Sequence, residues 1–155
     1  MNEPISRRAL LLRGAVLVAG LPALPRLLQA TARKVPMTVY KDPGCGCCKQ
    51  WVSLMQAAGF VVTAHDTGDL DPIKRRYQVA PALQSCHTAL VEGYVIEGHV
   101  PADLIQNLLR EKPKVLGLAV PGMVTGSPGM EGPNPQPYQV LSFDAAGKTT
   151  VYARR

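Results

Sequence analysis

The chain has 155 residues, a net charge of +6 and 46% hydrophobic residues. That length suits one small domain behind a leader and excludes two comfortable ones. Half of the excess charge falls in the first 32 residues, and no long basic run or aromatic interleaving follows, which argues against a nucleic-acid binder.

Residues 1–32 read as an export signal rather than as part of the fold. Arg7 and Arg8 form a basic pair, an apolar run centred on Gly14 to Leu24 follows, and Ala30-Thr31-Ala32 offers a small-x-small cleavage site. Leu28-Gln29-Ala30 offers a second. Ser6-Arg7-Arg8, followed by Leu10 and Leu11, also resembles a twin-arginine signal. Pro22 and Pro25 break the apolar stretch well short of the roughly 20 residues a membrane span needs. The expectation is a periplasmic protein, free of the membrane once the leader is removed.

The stretch from Asp42 to Trp51 organises the rest. Cys45, Cys47 and Cys48 lie within four consecutive positions. Met37 to Tyr40 before them reads as a short strand. Lys49 to Ala58 after them reads as a helix, with Trp51, Val52, Leu54, Met55 and Ala58 at helical spacing and Gly59 as the stop. The cysteines therefore sit on a strand-to-helix turn, where orphan N–H groups and the helix dipole favour thiolate. A thiolate there can attack a disulfide or bind a soft metal. Lys41 and Lys49 flank the turn and would favour thiolates further, or simply be solvated.

Cysteine usage is unusual for an exported protein, whose cysteines ordinarily pair into structural disulfides. The fourth, Cys86, is far from the cluster in sequence, and only one cluster member could pair with it. The others need a partner or a function.

Phe60 to Ala64 reads as a second strand, ending in His65-Asp66, where His65 reads as a surface or capping histidine. Leu70 to Val79 reads as a helix with Asp69 as N-cap and Asp71-Pro72 in its first turn. Lys74-Arg75-Arg76 reads as its solvated face. Cys86 to Val91 and Tyr94 to Glu97 read as a hairpin across Glu92-Gly93. Pro101 to Arg110 reads as an amphipathic helix with Leu104, Ile105, Leu108 and Leu109 on one stripe, and Val100-Pro101 is expected to be trans. From Val115 the chain is dense in Gly and Pro, which argues against helix or interior strand. This loop carries Met123 and Met130, and two methionines in such a loop fit core filling poorly. Tyr138 to Phe143 and Thr149 to Tyr152 read as a C-terminal hairpin.

The order strand, helix, strand, helix, hairpin, helix predicts an α/β fold with helices over a four-stranded sheet. With Cys45 and Cys48 in Cys-x-x-Cys spacing at the first strand-helix turn, residues 36–112 resemble a thioredoxin-like domain. The predicted organisation is a leader (1–32), a thioredoxin-like domain (33–114) and a C-terminal Gly/Pro/Met loop and β-hairpin extension (115–155). Thioredoxin-like proteins usually carry a cis-proline just before the third strand, beside the active-site cysteines. Here Cys86-His87-Thr88 occupies that place, which would bring four sulfurs and the His87 imidazole to one spot. A disulfide enzyme does not need that many, whereas a soft-metal site does.

The motifs Pro43-Gly44-Cys45-Gly46-Cys47-Cys48, Ser85-Cys86-His87-Thr88, Tyr94 to Pro101, Gly117 to Met123 and Gly126 to Glu131 together resemble the exported bacterial copper-resistance family CopG, long described as a domain of unknown function. The resemblance implies a thioredoxin-like fold whose C-terminal extension helps bind copper beside the Cys-x-Cys-Cys motif. It also implies several copper ions bridged by cysteine sulfurs and a role in copper redox interconversion. Position by position it carries metal binding onto Cys45, Cys47, Cys48 and Cys86, and with them Met123 and Met130. Ligand chemistry agrees, because thiolate and thioether select Cu(I), and imidazole also serves Cu(II). His87 joins the predicted ligands, and His99 is left between ligand and bystander.

Three functions compete on these residues. One is a copper oxidoreductase, with Cys45 and Cys48 as its catalytic residues. Another is a thiol–disulfide oxidoreductase with Cys45 as nucleophile and Cys48 as resolving thiol. The third is a copper chaperone or buffer without turnover. The expected partners are copper ions and periplasmic copper-export or electron-transfer proteins, with the chain itself a monomer.

Overall fold

The computed structural model describes residues 34–155, so the leader read over 1–32 lies outside the described residues. No helix among the described residues is long and apolar enough to cross a membrane.

Strand β1 (Val35–Lys41) alternates, turning Met37, Val39 and Lys41 inward. Helix α1 (Gly46–Ala57) crosses over to β2 (Phe60–Asp66), which pairs parallel to β1 with Val35 opposite Phe60. Cys48, Trp51 and Met55 fall on one stripe of α1 and are buried against the sheet. Helix α2 (Asp71–Arg76) and a 3-10 turn (Pro81–Leu83) lead into the hairpin of β3 (His87–Val91) and β4 (Tyr94–Glu97). Asp69 does not cap α2 by position, since Leu70 holds that place, but its carboxylate accepts the Asp71 N–H at 2.9 Å. Helix α3 (Ala102–Glu111) follows, with Pro101 as its N-cap rather than its first residue. No cis peptide bond occurs among the described residues, so Val100-Pro101 is trans as expected.

Two departures from the sequence reading matter. Gly117–Ala119 is not loop but a fully buried interior strand, β5, paired parallel to β4. The glycine that argued against a strand is what permits it. A Cβ on Gly117 would stand 1.8 Å from the Val95 carbonyl oxygen, so only glycine lets the two backbones approach. Through β5 the C-terminal hairpin, β6 (Gln139–Phe143) and β7 (Thr149–Arg154), joins the main sheet. The result is one seven-stranded mixed sheet in the order β2-β1-β3-β4-β5-β6-β7, where four strands and a separate hairpin were expected.

The second departure is Lys74. Within the run read as a solvated face it is 4% exposed and pairs with the fully buried Glu97 carboxylate. A short helix packed on a sheet must bury one side, and here Lys74 falls on it.

The larger core cluster joins Trp51 and Met55 of α1, Leu104, Ile105 and Leu108 of α3, and Met37, Val39, Ala89 and Ile96 of the sheet. Burying each large side chain contributes about 1.5–3 kcal/mol. A smaller cluster joins Val79, Leu83 of the 3-10 turn, Val95, Ala119 and Phe143.

Candidate metal centre

The turn leaving β1 is shaped by Asp42. Its carboxylate accepts the Gly44 N–H at 2.7 Å and its carbonyl accepts the Cys45 N–H at 3.2 Å. Helix α1 then starts three residues earlier than the apolar periodicity suggested, because Cys45 itself is the N-cap. Its sulfur accepts the Cys48 N–H at 3.3 Å, a role ordinarily filled by oxygen. Cys47 and Cys48 thus lie in the first helical turn.

Cys45 and Cys48 form a disulfide, while Cys47 and Cys86 are free thiols. None of the three cluster cysteines forms a disulfide with Cys86. Cys86 nevertheless reaches the cluster, with its Sγ 3.3 Å from Cys48 Sγ, and Cys47 Sγ is 3.4 Å from Cys45 Sγ. All four sulfurs lie within 4.8 Å of one another.

Cys86 also belongs to a second donor group. Its Sγ is 3.0 Å from His99 Nε2 and 3.4 Å from His87 Nδ1, and the three donors again lie within 4.8 Å. His99 Nδ1 is 2.8 Å from the Pro128 carbonyl oxygen, which only accepts, so Nδ1 carries the proton and Nε2 offers its lone pair toward Cys86. A metal-binding histidine is held in this way through its other nitrogen. His87 is fully buried, its ring 4.4 Å from Trp51 and 5.0 Å from His99. Its Nε2 is buried without a hydrogen-bond partner, which costs about 1–3 kcal/mol unless a ligand satisfies it.

Burial pushes the Cys86 thiol up to about 12, with the Cys47 sulfur adding to the effect. Burial likewise holds His87 well below its ordinary range, and the neighbouring His99 and Lys74 charges push the same way. His99 is lowered by burial, against the pull of its Pro128 hydrogen bond. The group is therefore a protonated thiol between two neutral imidazoles near neutral pH, ready for a cation that displaces one proton. Lys41 is not a solvated lysine. It is buried and bound to the Asp66 carboxylate and the Asp42 carbonyl. His65 is an exposed residue stacked on Tyr40, 5.4 Å between centroids.

The Gly/Pro loop lies across the first turn of α1. A Cβ on Gly129 would stand 2.8 Å from the Cys47 carbonyl oxygen and 2.9 Å from the Trp51 nitrogen. Glu131 accepts from Gln50 at 2.9 Å, and Pro128 holds His99. At the loop's start Gly122 N–H donates to Gln84 O at 3.0 Å, and Ser85 Oγ donates to Gly122 O at 2.5 Å. Backbone hydrogen bonds close the turn from Gly126 to Met130. These polar contacts tie the loop to helix α1, to His99 and to the segment before Cys86. Met130 is half-buried in it, and Met123 is 50% exposed.

His99 was underrated in the sequence, although a signal existed. The two-residue turn Glu92-Gly93 sets Thr88 opposite Glu97. Continuing that register by two residues brings Cys86 opposite His99. Glu97 was missed altogether. Its carboxylate binds Lys74, accepts from Thr88 Oγ1 at 2.6 Å and from the Ser85 N–H at 2.7 Å, and so anchors the residue before Cys86.

A family model described as "Protein of unknown function, DUF411" matches residues 83–130. No curated protein matches the sequence. Two solved structures, described as copper resistance protein CopG in form 2 and form 1, are each 41% identical with a TM-score of 0.75. Each covers 79% of this chain, and the matches span 99% and 98% of their own lengths. At that identity and coverage, the chain belongs to the copper resistance protein CopG family.

Proposed function

We propose that the chain is a periplasmic copper-binding protein of copper resistance that holds more than one Cu(I) and interconverts Cu(I) and Cu(II). Copper here is substrate and cargo. The observation that carries the reading is the convergence of the sulfurs of Cys45, Cys47, Cys48 and Cys86 within 4.8 Å. Soft thiolates select Cu(I), and a thiolate can bridge two ions, so four sulfurs together with the histidine and methionine donors exceed what one ion needs. The disulfide must open first, since thiolate is the ligand form. The Nδ1 of His87 and the oriented Nε2 of His99, both beside Cys86, supply donors that also suit Cu(II). Met123 and Met130 add thioether ligands from the loop. The crossover from β1 to β2, followed by the antiparallel β3–β4 hairpin, supports a thioredoxin-like core for the site.

The test is anaerobic titration of the reduced protein with Cu(I) against a chromogenic chelator. More than one tightly held ion per chain is expected, and one or none refutes the reading. The leader's reading is tested by cell fractionation, with the processed chain in the periplasmic fraction as a monomer. Its partners in that compartment are copper-export or electron-transfer proteins.

A second reading, a thiol–disulfide oxidoreductase, is favoured by one observation, the Cys45–Cys48 disulfide at a helix N-terminus. Cys47 separates the two. Cys47→Ser leaves a disulfide enzyme active, and strips a copper cluster of a ligand.

A further inference from the structure

We propose that Cys45 and Cys48 are the electron store of the copper site: their dithiol reduces two Cu(II), taken up in turn beside Cys86, His87 and His99, and becomes the disulfide present in the structure. This rests on the copper-binding reading above and adds the source of the electrons. Under it, the two competing functions are halves of one reaction.

Three observations converge. First, the four sulfurs are not equivalent. Cys45 and Cys48 are joined, whereas Cys47, 3.4 Å from Cys45, and Cys86, 3.3 Å from Cys48, stay free. Second, two donor groups of unlike character share a single atom, Cys86 Sγ. One has four sulfurs, and the other has one sulfur and two imidazoles. Sulfur alone suits Cu(I), while imidazole nitrogens also accept Cu(II), so the imidazole side is where the oxidised ion enters. Third, Cys48 Sγ lies 3.3 Å from Cys86 Sγ, so an ion held by Cys86 is one sulfur contact from the redox pair.

The balance closes without another reactant. Each Cu(II) takes one electron and becomes Cu(I). The two electrons come from the sulfurs of Cys45 and Cys48, between which one S–S bond forms, and two thiol protons pass to solvent. Two free sulfurs, Cys47 and Cys86, then remain to hold the Cu(I) produced. A thiol reductant resets the pair by disulfide exchange, which a first turnover does not require.

The experiment uses the full chain, reduced and freed of reductant under anaerobic conditions, with Cu(II) sulfate in excess. Cu(I) is counted with a chromogenic chelator, remaining thiols are titrated after denaturation, and disulfides are mapped by peptide mass. The expected result is two Cu(I) formed and two thiols lost per chain, with Cys45 joined to Cys48 and Cys47 and Cys86 still free. The variant His87→Ala/His99→Ala is expected to slow Cu(I) formation at least tenfold. Disulfides through Cys47 or Cys86, or joining two chains, overturn the proposal using wild-type protein alone. So does an unchanged rate in the double-histidine variant. Protein that binds added Cu(I) but leaves Cu(II) unreduced sinks this inference and spares the copper-binding reading. Protein that takes up neither ion sinks both.

Discussion

Gly129→Ala tests how the loop is held over the cysteine turn. Gly129 has φ +82°, a conformation that costs an L-residue about 1–2 kcal/mol. The new Cβ would also meet Cys47 O at 2.8 Å, Trp51 N at 2.9 Å and Trp51 Cα at 3.2 Å. These are backbone atoms of a helix and cannot swing aside. The loop therefore leaves the helix, giving up the Pro128–His99 and Glu131–Gln50 hydrogen bonds at about 1 kcal/mol each. The expected loss is about 3–4 kcal/mol, and at about 4 °C per kcal/mol Tm falls by about 12–16 °C. Gly147→Ala is the control, since Gly147 has φ +78° but nothing within 4 Å of its added Cβ. It shares the backbone strain without the collision. Gly129→Ala should be cleaved faster within the loop and bind Cu(I) more weakly in chelator competition, and Gly147→Ala should do neither. If the two variants lose equal stability, and Gly129→Ala keeps full copper affinity and protease resistance, the loop is only a connection to β6.

Trp51 is the single tryptophan of the chain, and its ring is 4.4 Å from His87, so copper loading should quench its emission and His87→Ala should reduce the quenching. Fluorescence titration checks this, and unquenched emission from copper-loaded protein would contradict ligation at His87. Lys74→Ala leaves the Glu97 carboxylate buried and unpaired, where burial already raises its pKa despite Lys74, and should cost about 3–5 kcal/mol in denaturant unfolding. Lys74→Met with Glu97→Gln should recover much of that loss. His87 and His99 have folded pKa values below the ordinary 6.5, so the unfolded chain binds more protons in the window below 6.5. Stability of the metal-free protein should therefore be fully present above about pH 6.5 and fall as pH drops. His99→Gln should flatten that slope in unfolding curves taken between pH 7.5 and 5, and an unaltered slope would remove His99 from the explanation.

What the sequence disclosed follows the range of the interactions involved. Helix α1, the hairpin and α3 are set by local periodicity and turn residues, and all were legible within a few residues at each end. The cysteine turn was legible because a strand-to-helix transition is itself local. Strand β5 was not, because three residues carry no period and its glycine answers to Val95 on another strand. Lys74 was misread for the same reason, since its partner Glu97 lies 23 residues on. His99 stands between these cases. Its place opposite Cys86 was implicit in the two-residue hairpin turn, yet its nitrogen is oriented by Pro128 from the distant loop. The Cys45–Cys48 bond is left open by the sequence, since spacing alone cannot distinguish a disulfide from two thiolate ligands.

The buried ion pair beside the site bears on why that site is specific. Replacing a buried pair by apolar residues is often neutral or even stabilising, so stability alone does not account for Lys74 and Glu97. Their geometry offers another reason. Glu97 takes the Ser85 N–H at 2.7 Å and Thr88 Oγ1 at 2.6 Å, gripping the chain on both sides of Cys86 and His87. Ser85 in turn holds the Gly122 carbonyl, so the segment carrying Cys86 and the start of the loop share one anchor. Gly98, just after β4, must lack a side chain, because a Cβ there would stand 2.5 Å from Val120 O and 2.6 Å from Ser85 Cβ. An apolar pair would fill the same volume and leave the Ser85 N–H without its acceptor, so Cys86 would lose its fixed distance to Cys48. The ion pair therefore fixes the position of the one sulfur that both donor groups share.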